Sequence, residues 1–354
     1  MAETRRRLRL IQAGVGGMGR TWWKGATQHS PDFEVVALVD IAEAPLAEAG
    51  DALGVPAERR FTSLADALER VEADAVLTVT PPPVHAEHAE LAFARGLHLL
   101  TEKPIADTME NAVRMVELAR RAGRQLVVAQ NYRFSPSARR FRELVRASPV
   151  GAVGHGHLDF YIPGDFGGTF RGTMEFPLLV DMAIHHFDLI RCVTGLNIRD
   201  ITAMSFRPRW SWYRHDPGLK MLMTLDDGSD AGIPFSYSGD WSAFGKTTSW
   251  NGTWRLQCDQ GTLTWEDDKL AVHRSEYWGN HRCTETVDIP AVPLQGQAKL
   301  LADFAQAIRT GVPAETSGED NLQSFGAVMA AVRSAREGRK VALSEVVGAR
   351  SATA

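Results

Sequence analysis

The chain has 354 residues, enough at roughly 150 residues per domain for two domains with a core each. Hydrophobic residues make up 44% and charged residues 23%, and the net charge is -4, an ordinary globular balance that gives no electrostatic case for nucleic-acid binding. Three cysteines, Cys192, Cys258 and Cys283, lie far apart with no CxxC pair, which argues against a disulfide framework or a zinc site and fits a reducing compartment.

The chain opens with Arg5-Arg6-Arg7, which resembles a twin-arginine signal. The apolar run from Leu8 to Ala13 is short, however, and leads straight into a glycine-rich turn, so it reads as a first strand. No stretch of about 18 apolar residues follows anywhere, so no membrane span is expected, and the expected location is cytoplasmic. Gly14-Val15-Gly16-Gly17-Met18-Gly19 comes next, with a helix over 17–29 and a strand over Val35–Val39 that Asp40 ends. This is the G-x-G-x-x-G pattern in its strand–turn–helix setting. Gly14 allows the tight turn, Gly16 lets backbone approach a pyrophosphate, and Gly19 lets helix and strand pack closely. The helix N-terminus offers N–H groups and partial positive charge to phosphates, with Gly17 and Met18 at its start. Asp40 falls 21 positions after Gly19, at a strand end, where a ribose diol belongs. A carboxylate accepts hydrogen bonds from the diol of NAD and repels the 2′-phosphate of NADP. Ile41 follows it in place of a basic residue. NAD is therefore expected over NADP, with Arg20 as the residue that would favour NADP.

The alternation continues. Residues 42–53 and 63–71 read as helices, and Asp74–Val79 as a strand that breaks at Thr80-Pro81-Pro82-Pro83. A helix over 84–95, a strand from His98 to Lys103, a helix over 107–122 and a strand over Gln125–Ala129 follow. Strands alternating with helices call for βαβ units and a doubly wound parallel sheet, an α/β Rossmann domain over residues 1–130. Ligands bind outside the carboxyl ends of such strands. Thr80-Pro81-Pro82 and Glu102-Lys103-Pro104 therefore face the cofactor. His85 on the following helix and Asn131 beyond the last strand are further candidates for its site.

Residues 131–354 change character. A basic helix spans 135–147, and strand-like runs joined by turns follow from His155 to His273, giving an α+β domain with a large, mostly antiparallel open sheet. Two helices, about 295–309 and 319–337, close it. One helical run, 178–190, interrupts the strands, and a straight helix puts Asp181, His185 and Asp188 on one face. Two carboxylates around a histidine make a general-base arrangement; without further ligands, no metal is expected. Trp210, Trp212, Trp241, Trp250, Trp254, Trp265 and Trp278 suit stacking on sugar C–H faces, although most are expected to pack a sheet or an oligomer interface. Tyr161, Asp165 and Arg171, in the glycine-rich loop 161–171, and Tyr132 and Arg133 are candidates for contacting substrate hydroxyls.

Four features, Gly14–Gly19, Thr80-Pro81-Pro82-Pro83-Val84-His85, Glu102-Lys103-Pro104 and Asp181 through His185 to Asp188, come in an order and spacing that resemble the glucose–fructose oxidoreductase / inositol dehydrogenase (Gfo/Idh/MocA) family. The resemblance covers nearly the whole chain and departs at Ala183, where the family often has glycine. It implies a catalytic Lys103 bonded to the reacting hydroxyl, a general base at His185, and a supporting Asp181, with catalytic helix about 181–192. It also implies a Lys103-Pro104 peptide that is often cis, a carbohydrate or cyclitol substrate, and a homodimer or homotetramer joined through the exposed face of the second sheet. The expected activity is NAD(P)-dependent hydride transfer from a secondary hydroxyl. Two alternatives stay open: an NAD-retaining glycoside-cleaving or lyase enzyme, and a non-catalytic dinucleotide and sugar sensor, which the joint presence of Lys103, Asp181 and His185 opposes.

Overall fold

The structure, a computed structural model, describes residues 6–166, 168–275 and 282–348; Gly167 and Trp278 of the sequence reading lie outside them. The chain divides into two compact units, Met1–Phe134 with Pro293–Leu322, and Ser135–Val292 with Gln323–Ala354.

The first unit is built on β1 (Leu8–Ala13), β2 (Phe33–Val39), β3 (Arg60–Phe61), β4 (Ala75–Thr78), β5 (His98–Thr101) and β6 (Leu126–Val128). All pair in parallel, in the order β3-β2-β1-β4-β5-β6. Every residue of β4 and β6 is buried, which is why these strands read as unbroken apolar runs rather than alternating ones. Helices α1 (Gly17–Gly25), α2 (Glu43–Leu53), α3 (Leu64–Arg70), α4 (Pro82–Ala94) and α5 (Met109–Ala122) connect the strands. Helix α5 begins two residues later than its periodicity suggests because Thr108 caps it, its hydroxyl accepting from Asn111 N. Strand order reverses between β2 and β4 around β1, and the glycine turn leaves β1 at this switch point.

The second unit carries α6 (Pro136–Ala147), β7 (Val153–Tyr161), α7 (Ala183–Thr194), β8 (Asn197–Phe206), β9 (Gly218–Asp226), β10 (Ile233–Asp240), β11 (Thr253–Cys258), β12 (Gly261–Glu266), β13 (Lys269–Ser275), β14 (Arg282–Val287) and β15 (Val341–Ala342). They form a nine-stranded sheet in the order β14-β13-β12-β11-β7-β10-β9-β8-β15, antiparallel except at β7–β10. Burial alternates along the central strands of this sheet. In β9, Leu219, Met221, Met223 and Leu225 are buried while Lys220 and Leu222 face out. The inner face packs on α6 and α7, where Phe141 meets Trp254 and Trp265 at 6.1 and 5.5 Å.

Helix α8 (Gly296–Thr310) departs from a contiguous division near residue 130. Its stripe Leu300, Leu301, Phe304 and Ala305 joins the core of the first unit with Leu8, Trp22, Phe33 and Phe134, and Phe33 stacks on Phe304 at 5.7 Å. Helix α9 (Gly318–Glu337) follows it. Strands β3, β14 and β15 are also additions to the sequence reading. Two of them are two residues long, and β14 exposes five of its six residues, so none carries a periodic signal.

Candidate functional site

In the first unit the carboxyl ends of β1, β2, β4 and β5 are laced together: Gly14 N donates to Val39 O, Val79 N to Ala13 O and Glu102 N to Thr78 O. This lacing brings Gly14–Gly19, Asp40, Thr80, Pro81, Pro82, Glu102 and Lys103 to one end of the sheet. Gly14 has φ +86°, and a Cβ there would lie 2.1 Å from Val79 O; one on Gly19 would lie 2.2 Å from Gly14 O. No other residue fits either place. A Cβ on Gly17, in contrast, would meet nothing within 4 Å, and on Gly16 nothing nearer than Pro45 at 3.5 Å. The outer surface of the turn is thus open backbone. Among the described residues no side chain caps α1. Its N–H groups are available to an anion, and the cradle fits a dinucleotide pyrophosphate.

Asp40 braces this turn. Its Oδ2 accepts from Val15 N at 2.8 Å and Gly16 N at 3.1 Å, and its Oδ1 from Ala42 N at 2.9 Å. Ile41 beside it is exposed, as is Met18. Arg20 points instead at Glu48 of α2, which Lys24 also approaches. Glu102 has its carboxylate fixed on both sides, Trp22 Nε1 donating to Oε1 at 2.7 Å and Lys103 N to Oε2 at 2.9 Å. The Lys103-Pro104 peptide is cis. Asn131 and Tyr132 lie half-buried in the short helical turn after β6.

Two candidates in this unit have structural duties. His85 is fully buried, with Nε2 against Thr80 O at 2.8 Å and Nδ1 against Pro104 O and Ile105 O at 3.1 and 3.2 Å. Burial pushes its pKa below the ordinary value, against the pull of those carbonyls. It clamps the loops after β4 and β5 together instead of lining the cradle. Arg133 is also buried, and donates to Asp320 at 2.7 Å and to Glu315 O at 3.1 Å. It is a strut of the first unit rather than a substrate ligand.

The sequence reading missed Gln12 and Trp22. The buried Gln12 amide donates to Gly14 O at 3.2 Å and Gly19 O at 3.0 Å and accepts from Thr27 Oγ1 at 3.1 Å, holding the turn from beneath. An uncharged polar residue in the run Leu10–Ala13, otherwise apolar and leading into the glycine turn, was its signal. Trp22 gave none, because its partner Glu102 is 80 positions away.

In the second unit the expected single helix opens with a π-helical turn, Leu178–Met182, before α7 proper. Such turns gather at functional sites. Phe176 just before it has φ +50°, unusual for a bulky side chain. Arg336 of α9 holds this entry, pairing with Glu175 at 2.5 Å and lying 5.5 Å over the Phe176 ring. Asp181 meets Arg171, whose Nε donates to Oδ2 at 2.5 Å and whose guanidinium lies over both Phe166 and Phe170. His185 is buried in the first turn of α7. His186 turns inward, between Tyr237 OH and Trp250 O, both at 3.0 Å. Asp188 is buried and accepts from Ser324 Oγ of α9 at 2.8 Å, so it does not complete an acid–base–acid face with Asp181. Asp165 is exposed on the loop after β7. Tyr161 is a correction to the sequence reading. Its neighbour Phe160 faces His186 of α7, so Tyr161 projects from the other face of the sheet, where Lys220 donates to its hydroxyl at 3.1 Å.

A doubly wound sheet in the order 3-2-1-4-5-6 with an open glycine turn at its switch point has the architecture of a dinucleotide-binding domain, here joined in one chain to a mixed-sheet unit with a histidine-bearing helix. A family model described as oxidoreductase family, NAD-binding Rossmann fold, matches residues 8–130. A protein of Sinorhizobium fredii described as uncharacterized protein y4oX is 32% identical over 351 residues, 95% of this chain and 96% of its own. D-apiose dehydrogenase of Paraburkholderia graminis is 28% identical over 325 residues, 88% of this chain and 83% of its own. Among solved structures, an oxidoreductase from Agrobacterium radiobacter in complex with NAD+, L-tartaric acid and magnesium matches with a TM-score of 0.83 at 22% identity, over 96% of this chain and 99% of that one. That last likeness is one of fold. The chain belongs to the Gfo/Idh/MocA oxidoreductase family. Among the described residues no helix is long and apolar enough to cross a membrane.

Proposed function

We propose that the chain is an NAD-dependent dehydrogenase that oxidises a secondary hydroxyl of a sugar or cyclitol. The observation that carries this reading is Lys103 at the carboxyl end of β5, beside a dinucleotide cradle, with its neighbour Glu102 fixed by Trp22. When bound, NAD supplies the acceptor for the hydride. The Lys103 ammonium holds the reacting oxygen and favours its loss of a proton. His185 accepts that proton, and Asp181, itself held by Arg171, supports it. Gly14, Gly16, Gly17, Met18 and Gly19 present backbone to the pyrophosphate; Asp40 takes the ribose diol, and Thr80, Pro81, Pro82, Glu102 and Asn131 flank the cofactor. NAD is favoured over NADP because Asp40 brings negative charge to the diol and Arg20 is engaged by Glu48. Asp165, Arg171 and Tyr132 remain candidates for substrate hydroxyls. The similarity to a D-apiose dehydrogenase supports a carbohydrate substrate.

The first unit binds nucleotide and the second binds substrate and assembles copies. Met204 and Leu222, both exposed on the open face of the second sheet, support a homodimer or homotetramer formed there. Buried Cys192 and Cys258 and exposed Cys283, all free thiols, are in keeping with a reducing, cytoplasmic setting.

The test is a panel of monosaccharides, cyclitols and their keto forms with NAD and NADP, followed at the NADH absorbance. With the best substrate, Lys103→Met and His185→Ala each lower kcat by about 10²- to 10⁴-fold. Normal turnover in Lys103→Met refutes the assignment.

A further inference from the structure

At the carboxyl end of β4 a chain of hydrogen bonds leads away from the glycine turn. Thr80 sits against that turn: a Cβ on Gly14 would lie 2.1 Å from Val79 O and 3.4 Å from Thr80 N. Thr80 is half-buried, and its hydroxyl meets Thr78 Oγ1 at 3.0 Å. Thr78 is fully buried, and the same Oγ1 meets His88 Nδ1 of α4 at 2.7 Å. Among the described residues the His88 ring makes this one hydrogen bond, and the residue is 8% exposed. One turn earlier on α4, His85 holds the backbone of the same threonine, with Nε2 against Thr80 O at 2.8 Å. Thr80 is thus fixed twice. One histidine holds its carbonyl, and the other, through Thr78, holds its hydroxyl.

The chain has a direction, because each hydroxyl carries one proton. Thr78 donates to His88 or to Thr80, not to both. Burial, with neighbouring His85, lowers the pKa of His88 to about 4, so at neutral pH its ring has a single N–H. With that N–H on Nδ1, His88 would donate to Thr78, Thr78 would donate to Thr80, and the proton of Thr80 would be left for a ligand. With the N–H on Nε2 every step reverses. Nδ1 then accepts from Thr78, Thr78 accepts from Thr80, and Thr80 has lone pairs alone to offer. The length of the inner bond selects the second arrangement. At 2.7 Å it matches a hydroxyl donor, whose bonds to oxygen centre at about 2.7–2.8 Å, better than an N–H donor at about 2.9–3.0 Å. The residual exposure of His88 leaves room for water to accept from Nε2–H.

We propose that His88, acting through Thr78, is a positioning residue that presents Thr80 as a hydrogen-bond acceptor to a ribose hydroxyl in the nicotinamide half of the dinucleotide. A doubly wound sheet takes one nucleotide on each of its halves. Asp40 serves the half built on β1, β2 and β3, so the half that begins with β4 takes the nicotinamide nucleotide. A ribose hydroxyl needs an acceptor for its proton, and a threonine whose own proton is committed inward has only that to give. This rests on the NAD reading and adds Thr78 and His88 to the machinery of the same site.

The first test uses the protein without nucleotide. In nitrogen NMR with isotope-labelled histidine, the His88 signals are those lost in His88→Gln. At neutral pH Nδ1 should resonate as an unprotonated ring nitrogen and Nε2 as a protonated one. A merely structural contact between His88 and Thr78 is indifferent to this choice, and a proton on Nδ1 overturns the proposal. The second test is calorimetric and compares NAD with two analogues that lack either the 2′- or the 3′-hydroxyl of the nicotinamide ribose. One analogue should bind about fivefold more weakly than NAD, the equivalent of a neutral hydrogen bond of about 1 kcal/mol. In Thr80→Val that difference should vanish. In Thr78→Val, which cuts the link to His88, it should narrow to about twofold, and Thr78→Ser should restore it. Equal affinity of the wild-type protein for NAD and both analogues, or a difference that Thr80→Val leaves intact, overturns the contact. A fivefold difference that persists in Thr78→Val overturns the part played by His88. If neither NAD nor NADP binds, the cofactor reading fails and the Thr80 contact with it, while the nitrogen spectrum of the free protein still upholds or overturns the directed chain.

Discussion

Replacing Asp40 by asparagine separates two duties of one carboxylate. Asp40 accepts three backbone N–H groups, from Val15, Gly16 and Ala42. An asparagine of the same shape has one oxygen. Turned toward the glycine turn, it keeps two bonds and sets its NH2 against Ala42 N–H; turned the other way, it keeps one. The better orientation loses one bond to a charged acceptor and weakens two others. Bonds to charged groups contribute about 1.5–3 kcal/mol and neutral ones about 1 kcal/mol. Because Ala42 is exposed and water can serve its N–H, the net cost is about 2 kcal/mol. For a cooperative unit of this size that is a fall in Tm of about 4–8 °C, read by calorimetry on the protein without nucleotide. The ribose diol loses its charged acceptor as well, so the Kd for NAD should rise about ten- to thirtyfold in a fluorescence titration. NADP should weaken less or tighten, because the charge opposing its 2′-phosphate is gone. An unchanged Tm would refute the brace, and an unchanged NAD-to-NADP preference would refute the cofactor assignment.

Three further outcomes follow from packing and charge. Gly19→Ala sets a Cβ 2.2 Å from Gly14 O, a backbone atom that cannot swing aside, so α1 must shift at a cost of about 3 kcal/mol. Nucleotide binding should fall with it, and wild-type affinity in a titration would contradict the close-packing role. His186 has its pKa lowered to about 4, mainly by burial, against an ordinary 6.5. The unfolded chain binds that proton first, so the contribution to stability is complete above about pH 6.5 and disappears as pH falls toward 4, up to about 3 kcal/mol. In His186→Phe the slope of Tm against pH over this window should flatten; the same slope would assign acid lability to other groups, such as His88, also near 4. Arg133→Met leaves Asp320 without that donor and should cost about 2 kcal/mol, seen as a lower urea midpoint. A raised KM with an unchanged midpoint would return Arg133 to the substrate.

Much of the first unit is legible because a parallel sheet buried on both faces writes each strand as an apolar run. Whatever polar or charged residue ends that run stands at the ligand-binding edge. Asp40 and Lys103 are found in this way. What escapes is anything whose partner is distant in sequence. The stripe of α8 says that the helix buries one side, not that Trp22 and Phe33 lie across from it. Arg133 sits beside Tyr132 in sequence, which suggests a shared ligand, yet its partner Asp320 is 187 positions on.

Tyr161 and the entry to α7 fail for a subtler reason, since both depend on periodicity that is correct locally and silent about its surroundings. Alternation along β7 separates Tyr161 from Phe160 but does not say which face carries α7; the contact of Phe160 with His186 decides that. Helical spacing aligns Asp181, His185 and Asp188 only while the turn stays at 3.6 residues. The wider turn at Leu178–Met182, with Phe176 at φ +50° and Arg336 holding its entry, changes the approach of Asp181. The stripe therefore divides between two neighbours. Asp181 goes to Arg171 on the loop after β7, and Asp188 goes to Ser324 on α9. The first contact joins the helix entry to the loop after β7, and the second anchors the helix body. Substitutions at Asp188 should accordingly act through stability, while those at Asp181 should act through turnover, a distinction that a straight helix would not make.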